Sequence, residues 1–230
     1  MNNHLPFLEE IIPGSKNLFI LFGGIDERMG MPRFEFYQSS SILNENRLFF
    51  RDPYQCWYQN GLPGIGKNVY QVSAFIRGRI HALKPDRVVF VGYSMGGYAA
   101  IMFAVLTGVG EAIVFSPRTS LHPLQILQSR DPRHKKQVLK TYLYSLFKPK
   151  VWDLKRLIRR SSYQPAISLY VAKNHSLDYF YAKRLDGLPN VNMIALENER
   201  HDVVKFFRDE GRLAEILSAK SAPETSCPNK

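Results

Sequence analysis

Apolar positions along the chain fall alternately into strand-length runs and longer stretches of helical spacing. "NLFILFGG" (Asn17 to Gly24) and "RLFF" (Arg47 to Phe50) are short runs of strand formers bounded by turn residues. Over Val69–Leu83, Val72, Phe75, Ile76, Ile80 and Leu83 recur at helical intervals, and Lys84-Pro85-Asp86 ends the pattern. "RVVFVG" from Arg87 then reads as a buried strand. A small-residue helix from Met95 to Leu106 follows, and "EAIVFS" (Glu111 to Ser116) is the next strand. Beyond Pro117 the rhythm changes: prolines at 123, 132, 149 and 165 punctuate a stretch with helical pieces near Gln137–Phe147 and Val151–Arg160. Alternation then resumes with strand "AISLYVA", a helix over Leu177–Leu185, strand "VNMIAL" and a helix over Val203–Leu217.

Strands alternating with helices predict an α/β fold, a mostly parallel central sheet covered by helices on both faces. At 230 residues the chain suits one well-buried domain, expected over residues 1–218, with a disordered tail over 219–230. Residues 117–165 are expected to be a helical lid or cap inserted at the carboxyl ends of the strands, where open α/β sheets place their sites.

Charge sharpens the picture of that insertion. The net charge is +11, and between Arg118 and Arg160 twelve Lys and Arg face two acids, Asp131 and Asp153. The remainder of the chain is nearly neutral, so the basicity belongs to one surface. It points to an acidic partner or substrate: an acyl carrier protein, an anionic saccharide, a phosphorylated ligand or a membrane surface. Nucleic acid ranks low, since no recognisable nucleic-acid module accompanies the charge. No apolar run reaches transmembrane length, and "MNNHLPFLEEIIPG" lacks the pattern of a secretory signal. Cys56 and Cys227 have no metal-ligand spacing, so no metal or cofactor is expected, and a reduced, cytoplasmic setting fits them.

The sharpest chemical signal is "VVFVGYSMGGYAA" (Val88 to Ala100). Gly92-Tyr93-Ser94-Met95-Gly96 matches G-x-S-x-G, with a strand before it and a helix after it. A serine on so tight a turn brings the residues two before and two after it together, and these must lack bulk. A serine hydroxyl needs a base. His201, in "ALENERHDVVKFF", lies between the last strand and its helix. The acid that orients the imidazole should lie between them in sequence, and Asp178 in "YVAKNHSLDYFYAKRL" fits best. Asp186, Asp202, Glu197 and Glu199 are weaker alternatives. The oxyanion donors are expected to be the backbone N–H of Met95 and that of Gly24 or Ile25 in the glycine turn after "LFILF".

With "FGGI" after an early strand, "GYSMGGYAA" at the elbow, and Asp178 and His201 downstream in that order, the chain resembles an α/β-hydrolase, of the serine esterase and thioesterase kind. The resemblance spans roughly Asn17 to Ser218 in element order. It implies a Ser-His-Asp mechanism through an acyl-enzyme that cleaves an ester or thioester on a small-molecule or carrier-bound acyl substrate. An acyltransferase using the same triad and a noncatalytic binding protein on a hydrolase scaffold are the competing readings. Trp57 and Tyr58, in the aromatic loop "RDPYQCWYQNGLPGIG", together with Tyr93 and Arg118, are candidate substrate contacts.

Overall fold

The computed structural model describes residues 6–25, 36–143, 150–197 and 201–219. Seven strands, β1 (Phe7–Glu10), β2 (Asn17–Phe22), β3 (Asn46–Phe50), β4 (Arg87–Tyr93), β5 (Glu111–Phe115), β6 (Ile167–Ala172) and β7 (Val191–Leu196), form one sheet in the order β1-β3-β2-β4-β5-β6-β7. Only β1 runs antiparallel, Phe7 opposite Phe50; every other neighbouring pair is parallel. The helices are α1 (Val69–Leu83), α2 (Met95–Thr107), α3 (Pro123–Ser129), α4 (Lys135–Leu143), α5 (Leu154–Arg160), α6 (Ser176–Lys183), α7 (Val203–Asp209) and α8 (Leu213–Ser218).

Each central strand is apolar on both faces because helices cover both. In β2, Leu18, Ile20 and Phe22 face one core, while Phe19 and Leu21 face the other. The first core joins the sheet to α1, α2, α5 and α6, with the Phe22 ring stacked 5.4 Å from both Phe50 and Phe103. The second joins it to α7 and α8 through Val203, Phe207, Leu213, Ile216 and Leu217. Burying each such Phe or Leu contributes about 1.5–3 kcal/mol. Helix α2 buries 12 of its 13 residues, since it lies between the sheet and α1 and α5. It therefore shows no polar stripe.

From β2 the chain passes to β3 on one side and then returns to β4 on the other. The carboxyl ends of β2 and β4 thus flank a topological switch point, where a crevice opens in such sheets.

Several boundaries differ from the sequence expectation, each for a local reason. The edge strand β1 is only half-buried, so "FLEE" carries no core pattern. Helix α3 exposes Leu124 and Leu127 and shows no amphipathic face. Helix α5 begins at Leu154 rather than at Val151, because Asp153 caps it by accepting the Arg156 N–H at 2.9 Å. The helix expected over Val203–Leu217 is two, α7 and α8, broken where Gly211 adopts φ 71°. Residues 144–147 of the helix expected over Gln137–Phe147, and the tail from 220, lie outside the described residues.

The segment between β5 and β6 is not all of one kind. Leu154 and Ile158 of α5 are buried against α2, so α5 belongs to the helical layer of the sheet. Tyr98 Oη in the first turn of α2 donates to the Val151 carbonyl at 2.6 Å, and Gln59 Oε1 accepts the Val151 N–H at 2.9 Å. These bonds tie the start of this layer to the elbow helix and to the aromatic loop that holds Gln59.

Candidate active site

Ser94 stands between β4 and α2 with φ 53° and ψ −113°, a conformation rarely tolerated by a residue with a side chain. The glycines around it are required by contact. A Cβ on Gly92 would lie 2.1 Å from the Gly96 carbonyl oxygen, and one on Gly96 would lie 2.0 Å from the Phe22 carbonyl oxygen. The elbow therefore presses directly on the end of β2. The Ser94 N–H donates to the Phe115 carbonyl at 2.9 Å, fixing the turn to β5.

The very next residue of β5's exit, Ser116, anchors the other partner: its Oγ donates to the His201 carbonyl at 3.0 Å. His201 is also packed against Tyr93, the residue preceding Ser94, with ring centroids 5.0 Å apart. Its Nδ1 hydrogen bonds Asp178 Oδ2. Asp178, in the first turn of α6, is 2% exposed. Carboxylate and imidazole come from different strand ends, and neither spacing nor periodicity links them.

Two contacts on Asp178 had no sequence signal that singled them out. His175, the N-cap of α6, places Nδ1 3.0 Å from the same oxygen, Oδ2, and 3.3 Å from the Asp178 N–H. One tautomer cannot serve both: Nδ1 accepts the Asp178 N–H and caps α6, so its approach to Oδ2 is a close contact rather than a second hydrogen bond. Burial above all, with the Arg133 charge nearby, outweighs the attraction of Asp178 and lowers the His175 pKa below the usual histidine value. Arg133, from the turn between α3 and α4, donates Nη1 to Asp178 Oδ1 at 2.8 Å. His175 lies three residues before Asp178 and Arg133 lies 45 positions away, and neither spacing announces the contact.

His175, Asp178 and His201 also form a group close enough to share a metal ion, their donor atoms lying within 4.8 Å of one another. The Arg133 guanidinium already neutralises that carboxylate, so the donor set is satisfied as a hydrogen-bonded one.

The alternative acids among the described residues are engaged elsewhere. Asp202 caps α7 through the Lys205 N–H at 2.8 Å, Asp186 pairs with Lys183 at 2.5 Å, and Glu197 with Lys173 at 2.7 Å. Glu199 lies outside the described residues.

At the candidate oxyanion loop, Tyr58 Oη sits 3.1 Å from the carbonyls of Gly23 and Phe50, bracing the turn that carries Gly24 and Ile25. Trp57 and Tyr58, expected from the sequence to line the mouth of the site, are turned inward. They are 1% and 0% exposed because buried Asp52 accepts the N–H groups of Tyr54, Cys56 and Tyr58, at 2.9, 2.7 and 2.8 Å, and folds the aromatic loop inward. Arg118 is likewise enclosed, 6% exposed, between the rings of Trp57 and Tyr181 and paired with Asp131 at 2.6 Å. Tyr93 remains partly exposed beside His201.

No protein-family model matches the sequence, and no curated protein matches it. Solved structures do. The capsule O-acetyltransferase of Neisseria meningitidis serogroup A is 15% identical, aligns over 90% of this chain and 89% of its own, and has a TM-score of 0.63; a variant of it has been solved with CoA. A proline iminopeptidase-related protein from Thermus thermophilus is 12% identical over 92% of this chain and 93% of its own, with a TM-score of 0.56. A glycosylation-associated protein complex from Streptococcus agalactiae is 15% identical with a TM-score of 0.61; it covers 96% of this chain, which spans about half of that one. At such identities the likeness is one of fold. The chain has an α/β-hydrolase fold, a mostly parallel seven-stranded sheet with helices on both faces. Among the described residues no helix is long and apolar enough to cross a membrane.

Proposed function

We propose that the protein is a serine enzyme of the acyl-transfer and hydrolase class, acting on an ester or thioester. Ser94 Oγ attacks the acyl carbonyl carbon while His201 Nε2 takes its proton. Asp178 holds the imidazole by Nδ1 and stabilises its charged form. The N–H groups of Met95 and of Gly24 or Ile25 receive the oxyanion, beside the positive end of α2. Collapse of the tetrahedral adduct expels the alcohol or thiol, which leaves with the proton from His201. Water, or an acceptor hydroxyl deprotonated by the same base, then attacks the acyl-enzyme and restores Ser94.

The observation that carries this reading is the strained backbone of Ser94 on a turn shared with the His201–Asp178 pair, both anchored to consecutive residues, Phe115 and Ser116. A simple binding scaffold has no need of that strain. Transfer to an acceptor hydroxyl is favoured as much as hydrolysis by the likeness to a capsule O-acetyltransferase.

An acidic or carrier-bound acyl donor is supported by α5. Lys155, Arg156, Arg159 and Arg160 line its outer face, and among the described residues none of them enters an ion pair. Open clefts of about 610, 490 and 290 Å³ adjoin them.

The test of the chemistry is covalent. A fluorophosphonate should label the wild-type protein at Ser94 and leave Ser94→Ala unlabelled. Equal labelling of both, or none of either, removes the enzymatic reading.

A further inference from the structure

Asp178 is gripped from the basic insertion. The Arg133 guanidinium, whose Nη1 holds Asp178 Oδ1, is locked along its other edge by Asp131: Nε to Oδ1 at 3.0 Å and Nη2 to Oδ2 at 3.0 Å. Asp131 Oδ1 also accepts the Arg133 backbone N–H at 2.9 Å, and Oδ2 takes Arg118 Nη2 at 2.6 Å. Arg118 in turn lies over the rings of Trp57 and Tyr181, at 5.5 and 5.1 Å. Asp178, Asp131 and Arg118 are 2%, 3% and 6% exposed. Two carboxylates and two guanidinium groups close to neutrality, so the chain of charges is stable in a buried place and little screened by salt.

We propose that Arg133 is a positioning residue for the reaction at Ser94, through which the turn between α3 and α4 sets the orientation of the Asp178 carboxylate. This rests on the reading of Asp178 as the triad acid. The torsion that turns a carboxylate is broad and two-fold, so one bond to His201 does not fix its plane. Arg133 supplies the contact on the opposite oxygen that does. Without it Oδ1 is buried and bare, and the carboxylate, with His175 packed 3.0 Å from Oδ2, has nothing on that side to hold its plane. Only a guanidinium fork spans Asp131 and Asp178 at once; an ammonium holds one of them. The insertion is then part of the catalytic machinery, and its docking is a condition for turnover.

The charged and titratable groups facing Asp178 are His175 from its own helix, His201 from the loop before α7, and Arg133 from the α3–α4 turn, with Asp131 and Arg118 one contact further away. Removing the Arg133 cation strengthens the attraction between the carboxylate and a protonated imidazole. The acidic limb of the kcat/KM profile therefore moves to higher pH, which a purely structural role would not produce.

The experiment compares Arg133→Met and Arg133→Lys with the wild type. It uses a small neutral ester for turnover, thermal unfolding for stability, and the downfield proton of the His201–Asp178 hydrogen bond in the resting protein, read by NMR. Arg133→Met should lower kcat about 100-fold, as a misplaced catalytic group does, with KM changed less than about twofold. Its acidic limb should shift upward and the downfield proton should be lost. Arg133→Lys should fall between Met and wild type. A folded Arg133→Met with wild-type kcat and pH profile overturns the proposal. If Arg133→Met does not fold, a folded Arg133→Lys with wild-type kcat overturns it, and a reduced kcat supports it. Failure of the wild type to turn over any ester counts against Ser94 chemistry instead. The NMR comparison then still decides this point: a proton lost in the variants supports the proposal, and one retained overturns it.

Discussion

The glycine at the foot of the elbow offers the most direct probe of how the site is built. In Gly96→Ala the new methyl group would sit 2.0 Å from the Phe22 carbonyl oxygen, 2.7 Å from its carbon and 3.0 Å from the Gly23 oxygen. All three are backbone atoms, which cannot swing aside as a flexible side chain does. Ordinary contact needs about 1.4 Å more room, so either α2 lifts or the end of β2 retreats, and the turn bearing Gly24 and Ile25 goes with it. Overpacking of this kind costs about 3 kcal/mol. For a domain of this size that lowers the melting temperature by about 6–12 °C. A displacement of this order between nucleophile and oxyanion donors should slow the fluorophosphonate reaction about 100-fold. Gly78→Ala in α1 is the control: nothing lies within 4 Å of its added carbon, and the helix should gain about 0.5–1 kcal/mol. If the contact is real, calorimetry gives melting shifts of opposite sign for the two variants, and only Gly96→Ala labels slowly. A Gly96→Ala protein that melts with Gly78→Ala and labels at the wild-type rate would refute the close approach of elbow and β2.

Two further outcomes follow from the charges. Burial alone would raise the Asp131 pKa, but the hydrogen bonds and charge of Arg133 and Arg118 outweigh it and hold it at about 2, against an unperturbed 3.8. Because the folded value is depressed, its contribution of about 2 kcal/mol is complete above about pH 4 and is lost as pH falls through about 2. The stability gap between wild type and Asp131→Asn, measured by denaturant unfolding, should close over that window; a gap unchanged down to pH 2 contradicts the ion pairing. Replacing Lys155, Arg156, Arg159 and Arg160 by Gln should raise KM for a carrier-bound thioester about tenfold or more and leave a small neutral ester unaffected. Equal effects on both would remove α5 as the surface for an acidic donor.

Much of the scaffold was legible because it rests on local rules. Buried parallel strands read as apolar runs, α1 as a helical stripe, and the elbow as glycines spaced around a serine, since the steric demand there falls on neighbours two residues away. What escaped were elements with little burial, the half-exposed β1 and the outward leucines of α3, and the break at Gly211, where a helical stripe continues in register across an interruption. The direction of the aromatic loop also escaped. Turn formers and aromatics are common to loops that line a mouth and loops that fill a core, and only buried Asp52, gathering three N–H groups, turned Trp57 and Tyr58 inward.

By itself, then, the sequence determined the α/β alternation, the position of Ser94 and a short list of downstream partners, because each depends on residues near one another in the chain. Tertiary structure decided which acid meets His201, that His175 packs against its oxygen, and that Arg133 reaches across from the insertion. Those contacts join strand ends brought together by the parallel sheet. The separations, 23 residues from Asp178 to His201 and 45 from Arg133 to Asp178, have no periodicity to announce them. Only the closing of the sheet and the burial of opposite charges in one place select those pairs.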